Sequence, residues 1–337
     1  MKGEGEVGGQ PAGRSVSQPS PAAGPVLLRT KAELAASRPS LTAPVVLVPT
    51  MGALHAGHRA LLREARARAG LDPKTPESPE SPLGPVTGSV IVSIFVNPLQ
   101  FRPGEDLDRY PRTLEADLAM CAKEGVRAVF APSAAEMYPG GRPEVSVDPG
   151  PMGQVFEGEF RPGFFGGVLT VVLKLFQLTR PDVAVFGEKD AQQLAMVRRM
   201  VSDLDLGLAV ESVPIVRDAD GLATSSRNRY LSAADRALAL ALPRALRAGQ
   251  ARAAAGSAGS AGSAGTAGSA GSAAVLAAAR EVLTAEPGLA VDYVAVVDPR
   301  TFAVAGPGYA GPALIVAAVT AGGARLIDNM PVVLTAS

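Results

Sequence analysis

His55 and His58 are the only two histidines in the chain, and they stand three residues apart in Pro49-Thr50-Met51-Gly52-Ala53-Leu54-His55-Ala56-Gly57-His58. An apolar run precedes this stretch and a helical pattern follows it, so it lies where a strand hands over to a helix. A helix N-terminus presents free backbone N–H groups and the positive end of a dipole, which suits phosphate. Two imidazoles at this spacing share one helix face and can donate to the same polyanion. Gly52 and Gly57 allow backbone to approach a ligand closely. Zinc is a second reading of the pair. It needs three or four protein ligands, and with one Cys and no third His the others would have to be carboxylates. Histidines with purely structural partners are a third reading. The residue types favour phosphate, with no metal site built from protein side chains.

Three other stretches carry chemistry. In 93–101, an apolar strand runs into Asn97, Pro98 and Gln100, whose amides could orient a small polar substrate or serve an ordinary turn. In Gly187-Glu188-Lys189-Asp190-Ala191-Gln192-Gln193, the Gly and Lys suit phosphate, and Asp190 suits a ribose or a helix cap. The chain has no Gly-x-x-x-x-Gly-Lys-Ser/Thr loop. In 217–229, Ser225 and Ser226 stand beside Arg227, a donor-rich loop suited to closing over a triphosphate.

The elements that must position these residues follow from hydrophobic periodicity. Strands are expected at 45–48, 89–96, 127–130, 183–186 and 208–216, and helices at 59–69, 113–124, 167–178 and 191–204. Alternating strands and helices with apolar runs buried on both faces predict an α/β fold: a doubly wound parallel-sheet, Rossmann-like N-terminal domain. In such sheets ligands bind beyond the carboxyl ends of the strands, where all four stretches fall. Past residue 216 the pattern changes to an Ala-rich helix at 232–246 and strands at 291–297, 313–319 and 324–329, a smaller α+β C-terminal domain. The expected organisation is a disordered tail at 1–24, a first domain at 25–216 and a second at 217–337. A stiff Pro-rich loop at 72–88, with Pro at every third position from Pro73 to Pro85, interrupts the first domain. It reads as a linker, with a ligand for a signalling domain as the lesser alternative. A flexible Gly-Ser-Ala linker at 253–274 interrupts the second.

Composition excludes several classes. Lys and Arg total 32 against 32 Asp and Glu, which argues against a generally basic nucleic-acid binder. The hydrophobic fraction is 47%, yet apolar runs such as 168–172 soon meet Lys174 and Gln177, too short to span a membrane. A lone Cys121 cannot form an intramolecular disulfide, and the tail lacks signal or transit character, so a cytoplasmic setting is expected.

At these residues the chain resembles the pantothenate synthetases of the nucleotidyltransferase superfamily, which carry a His-x-Gly-His signature. The resemblance rests on 49–58, on 93–101, on Tyr110-Pro111-Arg112-Thr113, on 187–190 with Gln192-Gln193, and on Asp220-Gly221-Leu222 with 225–231, all in order. It implies an ATP-dependent ligase that joins pantoate to β-alanine through pantoyl adenylate, releasing AMP and pyrophosphate. Magnesium would ride on the ATP, and the protein would be a homodimer. By the same resemblance His58 is a proton donor with His55 its companion, and Met51, Gly52, Ala53, Leu54, His55, Ala56, Gly57 and His58 line the ATP site. Gly187, Glu188, Lys189 and Asp190 grip the nucleotide, Lys189 by neutralising phosphate, and Val216 meets the adenine. Thr224, Ser225, Ser226 and Arg227 form a phosphate-clamping loop. Gln100 and Gln193 hold pantoate, with Gln100 also near β-alanine and Asn97 beside it, and Arg161 matches a further substrate-region position.

The chain departs from the family pattern where Ala191 replaces an aromatic, Thr224 replaces Met or Leu, and Phe164 replaces His. The first two changes imply lost packing beside the nucleotide, and Phe164 puts proton transfer at its position in doubt. A nucleotidyltransferase that leaves AMP on a stable product, and a nucleotide binder without catalysis, are the competing readings.

Overall fold

Runs rich in Val and Ile that are buried on both faces need a sheet with helices on each side, and the chain supplies both in alternation. The computed structural model describes residues 24–71, 88–259 and 271–335. In order these form β1 (Val26–Leu28), α1 (Lys31–Ser37), β2 (Val45–Thr50), α2 (Ala56–Arg68), β3 (Ser89–Ile94), α3 (Leu114–Lys123), β4 (Ala128–Phe130), α4 (Ala134–Met137), α5 (Glu157–Phe160), α6 (Phe164–Thr179), β5 (Val183–Gly187), α7 (Ala191–Asp203) and β6 (Ala209–Val213). Then come α8 (Ala233–Ala239), α9 (Ala241–Gly259), α10 (Ser272–Thr284), β7 (Leu289–Val297), β8 (Gly311–Ala321) and β9 (Ala324–Leu334).

The first six strands form one parallel sheet in the order β1-β4-β3-β2-β5-β6. Alternation along β2 divides its side chains between two cores. Val46 and Val48 join Leu62, Ala65 and Cys121 under α2 and α3, while Leu47 joins Leu169, Phe176 and Val197 under α6 and α7. The doubly wound architecture expected from the sequence is the one observed. The last three strands form a separate antiparallel sheet, β7-β8-β9, with α9 and α10 packed on it through Leu246, Val275, Ala279 and Ile315.

Several boundaries differ from the sequence expectation for physical reasons. The strand expected to reach 216 ends at Val213, because Pro214 cannot donate to a ladder. The helix expected over 232–246 is two helices, α8 and α9, separated at Leu240. The linker expected from 253 begins inside α9, which runs to Gly259, since Ala is the best helix former and extends a helix already nucleated. Strand β9 continues past 329 to Leu334 even though it contains Pro331, which an edge strand tolerates. The expected tail, apart from Gly24, the Pro-rich loop, apart from Gly88, and the middle of the Gly-Ser-Ala tract lie outside the described residues. The sequence reading overlooked α1, although Thr30 and Glu33 announce it with a reciprocal capping box.

The two sheets meet across a small apolar cluster of Ala195, Ala295, Val297, Phe302 and Val316, with Phe156 and Tyr293 packed against it. A buried ion pair crosses the same seam. Glu157 on α5, 5% exposed, accepts from both terminal nitrogens of Arg325 on β9 at 2.8 and 2.6 Å. It also accepts from the Tyr293 hydroxyl at 3.0 Å. The Arg325 Nε donates to Asp292 at 2.6 Å. Removing the cation would leave Glu157 buried and uncompensated. Arg325→Ala is therefore expected to lower the unfolding free energy by about 3 kcal/mol in urea titration. A loss under about 1 kcal/mol would show that the apolar cluster holds the seam alone.

Candidate active site

The chain enters the sheet's centre at β2, builds outward through β3 and β4, and then returns to place β5 on the other side of β2. This is the point at which strand order reverses, so the loops after β2 and β5 diverge and leave a crevice between them. The cleft above it, about 770 Å³, is lined by residues from both loops, from 213–227 and from β9. That volume suits a nucleotide with a second small substrate.

His55 is the N-cap of α2, and the helix start is closed by the two imidazoles themselves. The Gly57 N–H donates to Nδ1 of His55 at 3.1 Å, and the His55 N–H donates to Nδ1 of His58 at 3.2 Å. A backbone N–H can only donate, so each Nδ1 is an acceptor, and each neutral ring carries its proton on Nε2. The rings lie 4.1 Å apart between centroids. Gly57 is needed here, because a Cβ would lie 2.9 Å from Cε1 of His55.

Burial, with a smaller contribution from Lys189, lowers His55 to about 4. Burial, then His55 and Lys189, lowers His58 to about 3. Both imidazoles are thus neutral Nε2–H donors in the free protein at neutral pH.

The turn between β2 and His55 is fixed from below. Asp117 on α3, 2% exposed, accepts from the N–H groups of Ala53 and Leu54 at 3.0 and 2.8 Å. Those two N–H groups are therefore already used. Gly52, Ala53, Leu54 and Ala56, expected at the ATP site, are not among the cleft-lining residues, whereas Met51, His55, Gly57 and His58 are. Gly52 and Ala53 shape the turn, with φ of 83° and 51°.

Asn97 is almost fully buried, and its orientation is set by its neighbours. The Leu99 N–H donates to its Oδ1 at 3.3 Å, as does the Tyr138 hydroxyl at 2.9 Å. Its Nδ2 donates to the Gly167 carbonyl at 3.1 Å and to Oε1 of Gln100 at 3.0 Å. Gln100 is therefore turned with Nε2 outward, beside the Met51 sulfur at 3.3 Å, a donor suited to a carboxylate or hydroxyl. Of the two alternatives the sequence left open, the structure shows turn chemistry at Asn97, which also sets the direction of the Gln100 amide. Gln193 lines the same cleft.

Arg161 donates to Glu105 at 2.7 and 3.2 Å and to the Gln100 carbonyl at 3.1 Å. Its guanidinium sits 3.8 Å over the Phe164 ring, so Phe164 offers an aromatic face to a cation rather than a proton. Burial works to raise the Glu105 carboxyl, but Arg161 and Arg102 outweigh it and hold Glu105 at about 2.

Gly187, Glu188, Lys189 and Asp190 line the cleft from the end of β5, with Val216, Thr224, Ser225, Ser226 and Arg227 opposite. The Glu188 carboxylate accepts from Ser212 at 2.9 Å. Arg227 donates twice to Asp106, at 3.2 Å each, and the Ser225 hydroxyl accepts from the Arg227 N–H at 3.3 Å. Ser226 and the Tyr110 hydroxyl are 3.4 Å apart. Thr224 donates to Asp218 at 2.7 Å, a bond that Met or Leu could not make. Ala191 lies against the Phe156, Tyr293 and Phe302 cluster, where these rings occupy the seam that a larger residue would share. The sequence reading missed Asp106, Asp117 and Tyr138. Nothing in their local sequence marks them, because each acts on a residue distant in the chain.

The profile of the family described as pantoate-beta-alanine ligase matches residues 27–331. The chain belongs to the pantoate–β-alanine ligase family. It is 54% identical to the pantothenate synthetase of Thermobifida fusca over 319 residues, covering 92% of this chain and 96% of that one. The crystal structure of pantothenate synthetase from Thermus thermophilus superposes with a TM-score of 0.75 at 44% identity, covering 90% of this chain and 98% of that one. A pantoate–β-alanine ligase from Francisella tularensis, solved in complex with a β,γ ATP ligand and β-alanine, superposes with a TM-score of 0.67 at 29% identity. It covers 91% of this chain and 97% of that one. The ligase fold, with its Rossmann-like sheet and small antiparallel C-terminal sheet, is therefore shared over nearly the whole chain.

In this ligase the unfolded chain binds more protons than the folded one between the depressed values and the ordinary 6.5 of both histidines. Their contribution to stability is complete above pH 6.5 and declines as pH falls toward 4. NMR titration of the free protein should show two imidazole signals that stay neutral down to about pH 5. A midpoint near 6.5 for either ring would contradict the burial that the fold imposes.

Proposed function

We propose that this ligase works in two steps within the one cleft. The pantoate carboxylate attacks the α-phosphorus of ATP, and the α–β bridging oxygen leaves with pyrophosphate. The β-alanine amine then attacks the acyl carbon of pantoyl adenylate, AMP leaves, and the amine's proton passes to solvent. Neither step needs a nucleophile from the protein, so positioning and charge stabilisation supply the catalysis. The observation that carries this reading is the convergence of the two Nε2–H imidazoles, Lys189 and 224–227 on one cleft beside the outward amide of Gln100.

In this proposal His55 and His58 enter the reaction as neutral hydrogen-bond donors. An arriving triphosphate raises the proton affinity of both rings by its charge, so His58 gains proton-donor character only once the nucleotide is bound. Lys189 neutralises phosphate, while Gly187, Glu188 and Asp190 form the turn against the nucleotide and Val216 meets the adenine. Thr224, Ser225, Ser226 and Arg227 close over the phosphates, with Arg227 exchanging Asp106 for phosphate oxygens. Gln100 and Gln193 hold pantoate, Asn97 orients Gln100, and Arg161 fixes the segment that carries Gln100. Residues 25–216 form the domain that binds ATP and pantoate, and 217–337 the lid.

Magnesium fits this donor set as a companion of the nucleotide. Among the described residues no three His, Cys, Asp or Glu side chains converge as a metal cage. Mg2+ on a nucleotide needs only one or two carboxylates beside phosphate oxygens and water, and Asp106 and Asp190 line the cleft. These two would hold it, and its chemistry would be neutralisation of phosphate charge.

We place the enzyme in the cytoplasm, which the single, buried Cys121 supports, and read it as a homodimer. Analytical ultracentrifugation should give twice the chain mass. Among the described residues no helix is long and apolar enough to cross a membrane.

The purified protein is expected to exchange labelled pyrophosphate into ATP only when pantoate is present, with no need for β-alanine. His58→Ala should reduce that exchange by about 10²-fold or more. Exchange independent of pantoate, or a stable adenylylated product in place of free AMP, would favour a different nucleotidyltransferase.

A further inference from the structure

Strand β9 carries an acid and an amide, Asp328 and Asn329, both buried, at 3% and 5% exposed. We propose that this pair is a positioning device that ties the 188–190 turn and the 217–229 loop, the two phosphate-facing segments, to one strand of the C-terminal sheet. The inference rests on the reading that Lys189 meets phosphate.

Each half of the pair holds one segment. The Asn329 Nδ2 donates to the carbonyls of both Glu188 and Lys189, at 2.8 and 3.1 Å. In a trans peptide the C=O and N–H point in opposite directions. Drawing these carbonyls toward β9 therefore turns the N–H groups of Lys189 and Asp190 away from it and fixes the backbone on both sides of the Lys189 side chain. An amide supplies two donors from one nitrogen without burying a charge, whereas Ser has one and a carboxylate none.

Asp328 accepts from Arg217 through both oxygens, at 2.6 and 3.0 Å. Arg217 also donates to the Gly221 carbonyl at 3.1 Å and to the Asn329 carbonyl at 3.3 Å. Arg217 begins the loop that ends in Ser225, Ser226 and Arg227, so its bidentate pair sets where that loop leaves the sheet. Asp328 Oδ1 accepts from the Asn329 N–H at 2.7 Å as well, which makes the two grips one unit. They join residues 111 and 141 positions apart in the chain.

The experiment uses the full-length protein with Asn329→Ala, Asn329→Ser, Lys189→Ala and the double variant of Asn329→Ala with Lys189→Ala, each checked for folding by circular dichroism. Pantoate-dependent pyrophosphate exchange reads the first step. Pantothenate formation from supplied pantoyl adenylate and β-alanine reads the second. Asn329→Ala should lower exchange by about 10²-fold, as misplacement of a charged group does, with Asn329→Ser intermediate and the second step within about twofold of wild type. ATP affinity measured by calorimetry should show that Asn329→Ala adds nothing once Lys189 is Ala. If Asn329→Ala does not fold, Asn329→Ser carries the same comparisons.

Equal losses in both steps, or losses in ATP affinity that multiply in the double variant, would reduce Asn329 to a structural residue and overturn the proposal. Wild-type exchange in the Asn329 variants with exchange lost in Lys189→Ala would overturn the proposal alone. Wild-type exchange in Lys189→Ala would overturn the phosphate reading of Lys189 and the proposal with it.

Discussion

Where β2 pairs with β5, at Val46 with Val183 and Leu47 with Ala184, the sheet changes the direction in which it grows. Each parallel strand needs a covering helix on its way back, and helices that cover opposite faces must leave adjacent strands in opposite directions. The loops after β2 and β5 therefore separate, and the gap between them cannot be filled by either helix. The His55–His58 turn and the Lys189 turn face each other across that gap because each directly follows one of these strands. Had β5 been placed outside β4, the same motifs would lie at opposite ends of the sheet.

Within this frame the electrostatics of the cleft are set by burial more than by charge count. Both imidazoles lose water, feel Lys189, and stay neutral. Their tautomers are fixed by two backbone N–H groups that the helix start leaves free, so the cap of α2 and the orientation of both rings are one structure. Two arginines of the cleft are already paired, Arg161 with Glu105 and Arg227 with Asp106. Such pairing keeps a cation-lined cleft from repelling itself in the absence of ligand. It also means that a polyanion must offer Arg227 more than Asp106 does.

The C-terminal sheet does more than cover the cleft. Its β9 strand supplies Arg325 to the buried Glu157 at the seam, and Asp328 and Asn329 to the 217–229 loop and the 188–190 turn. An edge strand with one face on its own helices and its polar residues toward the other sheet is suited to this, because its register is locked by pairing with β8 from Gly311 to Ala321. Ala191 packs against this seam, and Phe164 lies under the Arg161 guanidinium.

Periodicity in the sequence was enough for five of the six strands of the parallel sheet, because strands buried on both faces and amphipathic helices write their spacing directly into the chain, whereas the three-residue edge strand β1 is too short to show a period. The same holds for the placement of His55, His58 and Lys189 just after β2 and β5, which follows from local pattern. The sequence could not show that Asp117 would consume the N–H groups of Ala53 and Leu54, because that contact spans 63 and 64 positions. Nor could it give the direction of the Gln100 amide, which depends on Asn97, Leu99, Tyr138 and Gly167 arriving at one point. An Asp-Asn pair inside an apolar strand was visible in the sequence, but its meaning was not. Local sequence determines which residues can do chemistry and which element carries them. Tertiary structure alone decides which donors are already spent and which way the others point, because hydrogen bonds between distant segments depend on packing that no local pattern encodes.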